Sequence, residues 1–293
     1  MLAQLLANGL TSGCIFALMA LGFALVYNTT RIFHIAHGAV YTAAAYLCYG
    51  FLTRLHWPTS AAAIAAVALS TLMGVLIEVG LYAPLVRRNA STLVALLSSL
   101  GLYVAVVNVI ALIAGNGTKV LQTGAEKDYR LAGIILTHMQ VAQLAAALLL
   151  IPVLVVFLKF TIWGKTIRAT RDNPMLSTVL GFHIAAVRMG VFALGSTLAG
   201  IAGVLVALDV GMDPNVGMPA LLAAATALIV GGVGTFEGPV IGGFLLGLVQ
   251  SLVVWQLSAR WVDTMTFLIL ILFLLFRPWG LAGRTRRLEE ALE

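Results

Sequence analysis

The chain is dominated by apolar runs of about 20 residues, each long enough to form a helix that crosses a lipid bilayer. Soluble domains carry about 25% charged residues, whereas this chain has only 10% charged residues and 61% hydrophobic residues. A surface with so few charges is solvated mainly by lipid rather than by water. The sequence therefore predicts an all-α, polytopic integral membrane protein.

The apolar windows also predict the number of crossings. One window is too long for a single helix and contains the sequence GGVGTFEGP at 231–239, so we divide it into two spans that meet at a Gly-rich turn. This division predicts about eight to nine transmembrane helices. The windows are 4–27, 33–53, 60–84, 91–114, 138–158, 186–208, 219–257 and 261–276.

The distribution of Lys and Arg predicts the orientation of these spans. If nine spans alternate, most of the basic residues fall on one side of the membrane, which the positive-inside rule assigns to the cytoplasm. The amino terminus is then outside, and a tail over 277–293 is cytoplasmic. The external connector 115–137 is either a docking site for an extracytoplasmic partner or a solvated loop. The residues on the cytoplasmic side are Arg31, Arg87, Arg88, Lys159, Lys165, Arg168, Arg171, Arg188, Arg277, Arg284, Arg286 and Arg287.

The cytoplasmic connector GKTIRATRDNPMLSTVLGFHIAAVR, at 164–188, predicts two short helices. Asp172 and Asn173 are suited to cap the second helix, Pro174 suits its first position, and Gly181 ends it. Its Gly-Lys-Thr sequence lacks the upstream glycine and the strand of a nucleotide-binding loop, which argues against ATP binding by this chain. The first helix carries Arg168, Ala169, Arg171 and Asp172.

The second of these helices has an apolar stripe at helical spacing. A short helix of this kind, projecting into the cytoplasm, is expected to enter a groove on a partner protein. The alternative is an interfacial helix that lies on the lipid surface. The residues of the stripe are Met175, Leu176, Val179 and Leu180.

Polar residues interrupt the apolar sequence between the first two windows. The sequence Asn-Thr-Thr at 28–30 disfavours continuation of the first helix and favours a new helix cap, so a broken or short helix is predicted near 28–45. In a helix that begins near Ile32, His34, His37 and Tyr41 would share one face. This face either borders a translocation pathway or makes packing hydrogen bonds. The candidate pathway residues are Asn28, Thr30, His34, His37, Tyr41 and Asn108.

Neither metal binding nor catalysis is indicated by these polar residues. The two histidines have no carboxylate or thiolate nearby in sequence, so a metal site is not predicted. A paired nucleophile and base are also not visible, so no catalytic residue is proposed. Asp209 and Asp213, near the external end of one span, either contact a delivered ligand or a binding protein, or act as solvated caps.

Small residues recur four positions apart near the Gly-rich turn, a spacing that lets helix backbones approach closely in lipid. Consecutive glycines also free the backbone, so a hinge or gate is the alternative to packing. The residues considered for these two roles are Gly231, Gly232, Gly234, Gly238 and Gly242.

Four segments, in order along the chain, resemble the branched-chain amino-acid ABC importer permeases, and more closely the smaller of their two homologous membrane subunits. They are HIAHGAVYTAAAY at 34–46, GKTIRATRDNPMLSTVLG at 164–181, ALIVGGVGTFEGPVIGG at 227–243 and RPWGLAG at 277–283. The first departs from that family's Asn-Phe-Ala-His-Gly signature, because His34 and Ile35 replace Asn-Phe.

This resemblance implies one permease domain over 1–293, with a coupling loop over 161–184, in a bacterial-type cytoplasmic (inner) membrane. It implies a second permease subunit, identical or homologous, and two cytoplasmic ATPase subunits that bind ATP and Mg. It also implies an extracytoplasmic substrate-binding protein. This chain would hold no cofactor and bind no nucleic acid.

The implied substrate is a branched-chain or hydrophobic amino acid, transported by alternating access. Urea or a small organic acid is an alternative within the same architecture. A self-sufficient secondary transporter is the alternative of another class, and it would be expected to show an internal repeat with paired carboxylates at mid-membrane.

Overall fold

The computed structural model describes residues 2–121, 129–131 and 133–283. The predicted tail 277–293 is therefore described only as far as Gly283, and Arg284, Arg286 and Arg287 lie outside the described residues. The external connector 115–137 is described without residues 122–128 and 132.

The described chain is almost entirely helical, as the apolar windows predict. A single short hairpin is seen in this part of the chain, formed by two antiparallel strands in the external connector. In chain order the elements are α1 Leu2–Thr30, α2 Ala36–Thr53, α3 Thr59–Ile77, a π-helix Glu78–Tyr82, α4 Ala83–Arg87, α5 Thr92–Ala114, β1 Tyr129–Leu131, β2 Ile134–Leu136, α6 His138–Phe160, α7 Ile162–Asp172, α8 Pro174–Val179, α9 Ile184–Asp209, α10 Gly217–Gly231, α11 Gly238–Gln256, a 3₁₀ turn Ala259–Trp261 and α12 Val262–Phe276.

Seven helices of the described chain are long and apolar enough to cross a membrane. They are α1, the continuous run from α3 to α4, α5, α6, α9, α11 and the run Ala259–Phe276. The other two apolar helices are α2, which has 18 residues, and α10, which has 15. The predicted division of the window 219–257 at a Gly-rich turn is confirmed by α10 and α11. The predicted number of about eight to nine crossings is approximate, because α10 is short for an independent span.

The break between α1 and α2 differs from its prediction. Helix α1 continues through 28–30, and α2 begins at Ala36 rather than near Ile32. The hydroxyl of Thr30 donates to the carbonyl of Val26 at 2.8 Å, so this residue is accommodated inside α1 instead of capping a new helix. The first amide of α2, on Ala36, donates to the hydroxyl of Ser99 on α5 at 2.9 Å. A side chain 63 residues away therefore caps α2.

Helix contacts define two ends of the bundle. At the hairpin end, near β1 and β2, the side-chain amide of Gln4 donates to the carbonyl of Ile135 at 2.8 Å. At the same end, the Thr137 hydroxyl donates to the Asp209 carboxylate at 3.1 Å. The opposite end carries α7 and α8. We call it the connector end after the segment 164–188, whereas the described part of the segment 115–137 lies at the hairpin end.

The alternation of the helices places most of the described basic residues at the connector end. Four described basic residues, Arg54, Lys119, Arg130 and Arg260, belong to the hairpin end. Those of the connector end are Arg31, Arg87, Arg88, Lys159, Lys165, Arg168, Arg171, Arg188 and Arg277.

Helix α1 lies at the centre of the bundle and packs closely against α11. A Cβ atom added to Gly243 would lie 2.5 Å from the Ala17 nitrogen, and one added to Gly247 would overlap the backbone of Gly13. Small residues therefore set the distance between these two helices, as expected for helices that associate in lipid.

Replacing Gly247 with leucine is expected to destabilise the folded protein by about 1–3 kcal/mol, because α1 and α11 would have to separate. The matched control is Gly101→Leu, since a Cβ at Gly101 meets nothing within 4 Å. The comparison is made by thermal unfolding of the two variants in detergent. Equal unfolding temperatures for both would show that close packing at Gly247 contributes little.

Candidate functional site

The segment that contains α7 and α8 has the two-helix form that its sequence predicts. The hydroxyl of Thr161 caps α7 by accepting from the Gly164 amide at 3.0 Å. The side chain of Asn173 caps α8 by accepting from the Leu176 amide at 2.9 Å. Gly181 follows α8 with a φ of +84°, a conformation that favours glycine at a helix end. Asp172 does not share the cap, because its carboxylate forms an ion pair with Arg171 at 2.8 Å.

Helix α8 presents its apolar stripe to the outside. Met175 and Val179 are 82% and 77% exposed, and Leu176 and Leu180 are also exposed. The buried side of α8 is formed by Ser177. A contiguous set of exposed apolar residues on a helix is typical of a docking element.

Arg171 connects α7 to the Gly-rich turn between α10 and α11. Its guanidinium donates to the carbonyl of Gly234 at 3.0 Å and lies 5.1 Å from the centre of the Phe236 ring. The other side of the turn is held by Asn28, near the end of α1. The Asn28 amide nitrogen donates to the Thr235 carbonyl, and its oxygen accepts from the Gly234 amide, both at 3.0 Å. The turn is thus bonded to both α1 and α7.

The backbone of the turn requires glycine at two positions. Gly232 and Gly234 have φ angles of +120° and +89°, which side-chain-bearing residues rarely adopt. Gly231 and Gly238 pack against each other across the turn, and Gly242 packs against the backbone of α10. The five glycines considered for packing or gating therefore lie in and beside one turn.

The segment after α12 also binds this turn. The amides of Leu281 and Ala282 donate to the carbonyls of Val230 and Gly231, both at 2.8 Å. The last turn of α10 therefore has its free carbonyls satisfied by a segment that is distant in sequence.

His34 and His37 lie together inside the bundle. Their ring centres are 5.7 Å apart, and both side chains are fully buried. Nδ1 of His34 and the hydroxyl of Tyr82 form a hydrogen bond of 2.9 Å. Among the described residues, Nε2 of His34 and both ring nitrogens of His37 have no hydrogen-bond partner of suitable geometry. Buried polar groups without a partner are rare and costly, so the pair calls for an explanation.

The other candidate pathway residues are distributed over the bundle. Tyr41 lies further along α2 and lines a cavity that opens towards the hairpin half of the bundle. Asn108 is exposed on α5, and its side chain donates to the Val104 carbonyl of the same helix. Because His34 precedes α2 instead of lying on it, the predicted shared helix face of His34, His37 and Tyr41 is wrong, although the two histidines are adjacent.

Within the described ranges, no group of three or more His, Cys, Asp or Glu residues is arranged to hold a metal ion.

Comparison with known proteins supplies the family. The model of the family described as "Branched-chain amino acid transport system / permease component" matches residues 5–275. The chain belongs to this family.

Relatives of this permease match it over nearly their whole length. The chain is 30% identical to the high-affinity branched-chain amino acid transport system permease protein LivH of Salmonella typhimurium, over 96% of this chain and 95% of that protein. It is 29% identical to BraD of Pseudomonas aeruginosa, a permease protein of the same description, with the same coverage. The solved structure of PsaBC from Streptococcus pneumoniae in complex with Fab has a similar fold, with a TM-score of 0.55 and 11% identity, over 95% of this chain and 97% of that chain.

One polar pair of this permease is not anticipated by the sequence. Arg188, at the start of α9, donates to both carboxylate oxygens of Glu78, at 2.5 and 3.0 Å. Glu78 is only 2% exposed and is the first residue of the π-helix that follows α3. A single carboxylate inside an apolar window requires a partner, so the sequence signals that a buried pair exists but does not show which basic residue completes it.

Proposed function

We propose that the chain is the transmembrane permease subunit of an ABC importer for branched-chain amino acids. The observation that carries this proposal is the exposed apolar stripe of α8, joined through Arg171 of α7 to the Gly-rich turn between two membrane helices. The substrate is proposed from LivH and BraD, which are described as branched-chain amino acid permeases and match 96% of the chain.

The proposed importer contains further subunits. A second permease, identical or homologous, pairs with this chain, and two cytoplasmic ATPases bind ATP and Mg. A binding protein delivers substrate from outside. The chain acts as one permease domain over 1–293, with no cofactor of its own and no chemical catalysis.

The proposed orientation places the connector end in the cytoplasm and the amino terminus outside. It is supported by the cluster of basic residues at the connector end, in agreement with the positive-inside rule. This orientation brings α8 to the side on which ATP is available.

The proposed coupling route begins when the ATPases close on ATP and press on α8. Displacement of α8 also moves α7, the helix before it. The Arg171 side chain of α7 donates to the Gly234 carbonyl, so this movement is passed to the Gly-rich turn. Asn28 binds the same turn, so the displacement also reaches α1. Gly232 and Gly234 give the turn the backbone freedom to act as a hinge between α10 and α11.

The experiment that tests this function is uptake of radiolabelled L-leucine by proteoliposomes that contain the permeases, the ATPases and the binding protein. We expect uptake that requires ATP inside the vesicle and the binding protein outside. Uptake of urea or a small organic acid in place of leucine would reassign the substrate, and uptake by the chain without ATPases would overturn the importer.

The histidine pair is proposed to border the translocation pathway. Its unpaired ring nitrogens are groups that could bind a polar solute once the bundle opens. We expect His37→Ala to lower the rate of uptake by about tenfold, without loss of assembly.

The control for this substitution is His56→Asn, since His56 is exposed in the loop after α2 and asparagine tolerates its φ of +52°. Uptake and subunit assembly are measured for both variants. Normal uptake by His37→Ala would assign the two histidines to packing.

A further inference from the structure

A cavity in the hairpin half of the permease combines apolar walls with two carboxylates. Its volume is about 420 Å³, which lies within the range of about 300–1,000 Å³ that is typical of small-molecule sites. Asp209, at the end of α9, and Asp263, in the first turn of α12, line it at the hairpin end. Met19 and Tyr41 line it further towards the middle of the bundle.

The walls of the cavity suit a branched aliphatic group. Most of the lining surface is contributed by aliphatic and aromatic side chains from helices on several sides. Such a wall binds a hydrocarbon side chain by removing its surface from water. The side chains that form the wall include Ile15, Phe16, Val206, Met218, Leu222 and Phe267.

The two carboxylates lack a basic partner among the residues that the structure describes. Asp209 accepts hydrogen bonds from the Thr137 hydroxyl at 3.1 Å and from the Gln143 amide at 3.0 Å, and both donors are neutral. Within the described residues, neither Asp209 nor Asp263 forms a salt bridge with Lys or Arg. Asp209 is half-buried and Asp263 is exposed. Apolar walls beside two charges of the same sign focus their field, so the pair attracts a small cation.

A polar stripe leads into this cavity along α1. Gln4, Asn8 and Ser12 are four residues apart and line an adjoining cavity of about 420 Å³. Ser12 and Gln250 line both cavities, so the two spaces adjoin. The Gln4 amide already donates to the Asn8 side chain and to the Ile135 carbonyl. The donors that the stripe offers to a carboxylate are therefore the Asn8 amide and the Ser12 hydroxyl.

We propose that this cavity is an outward-facing site, within the single chain, for a zwitterionic amino acid with a branched aliphatic side chain. Asp209 and Asp263 bind its ammonium group, the apolar wall binds its side chain, and Asn8 and Ser12 donate to its carboxylate. The inference rests on the proposed function, since it assigns a place in this chain to the substrate proposed there.

The test uses the assembled importer in proteoliposomes, with the buried Cys14 and Cys48 replaced by alanine and exposed Ser12 replaced by cysteine. Two membrane-impermeant methanethiosulfonates, one cationic and one anionic, are applied from outside. The quantity compared is the ratio of the labelling rate with the cationic reagent to that with the anionic reagent. We expect this ratio to be about tenfold higher at Ser12→Cys than with free cysteine, because Asp209 and Asp263 attract the cation.

Protection experiments then identify the ligand. L-leucine is expected to slow labelling at Ser12→Cys, whereas 4-methylpentanoate, which lacks the ammonium group, is not. Asp209→Asn combined with Asp263→Asn is expected to remove both the cation preference and the protection. The matched control is Asp213→Asn, because Asp213 lies near the same end and accepts from the Asn215 amide outside the cavity lining.

A second measurement uses the protein with its native cysteines. The Michaelis constant for leucine uptake is expected to rise by about tenfold in Asp263→Asn. Equal protection by both ligands, or an unchanged Michaelis constant in Asp263→Asn, would overturn the site. If the unmodified importer takes up leucine while these effects are absent, the inference alone fails. If it takes up no leucine, the proposed function fails.

Discussion

An aspartate in place of Val179 is expected to lower ATP-driven uptake by about 100-fold or more, while the permease still inserts and folds. Val179 is 77% exposed on α8, so the substitution costs the isolated permease little. Its cost arises in the complex, where an unpaired carboxylate would have to enter an apolar groove of the ATPase. Stimulation of ATP hydrolysis by the loaded binding protein is expected to be lost as well.

The matched control is Thr178→Asp, because Thr178 is exposed on the same helix but lies away from the apolar stripe. The two variants are compared by leucine uptake, by copurification of the ATPase and by the elution profile of the detergent-solubilised permease. Equal uptake in the two variants would show that α8 lies on lipid rather than in a partner groove.

Removing one member of the Glu78–Arg188 pair is expected to destabilise the permease by about 3–5 kcal/mol. In Glu78→Gln, the positively charged Arg188 guanidinium remains between α3, the π-helix and α9, but the carboxylate that neutralises it is lost. Its side chain is only 12% exposed, so water compensates poorly for the loss. The effect is measured as a shift in the free energy of unfolding during titration with a denaturing detergent.

A double variant separates this explanation from simple loss of packing. Replacing both residues, as Glu78→Gln with Arg188→Met, removes the uncompensated charge and is expected to recover part of the lost stability. The comparison substitution is Asp172→Asn in the pair with Arg171. The Asp172 side chain is 66% exposed, so this change is expected to cost less than about 1 kcal/mol. If Glu78→Gln is no more costly than Asp172→Asn, the buried pair contributes little to stability.

Features that depend on neighbouring residues could be predicted from the sequence. The form of α8 follows from Asn173, Pro174 and Gly181, which lie within or beside the helix they define. The long apolar helices and the Gly-rich turn follow from local composition in the same way. The cap expected from Asp172 is not formed, because the adjacent Arg171 binds its carboxylate.

Features that depend on distant contacts could not be predicted. The start of α2 at Ala36 is fixed by the Ser99 hydroxyl on α5, and sequence near the break does not reveal that contact. Glu78 and Arg188 are 110 residues apart, so only the fold brings them together. The roles of Asn28 in clasping the turn and of Asn108 on the exposed face of α5 also depend on helix arrangement.

The hydrogen bonds that join the segment after α12 to the Gly-rich turn have a consequence for the order in which the protein is synthesised. Leu281 and Ala282, which bind the end of α10, follow α1 to α12, the helices that the structure describes. During synthesis, the membrane helices of the described chain are therefore made before these two hydrogen bonds can form. The joint between α10 and α11 can be completed only after α12 has been made, so a nascent permease has these helices before it has a finished joint.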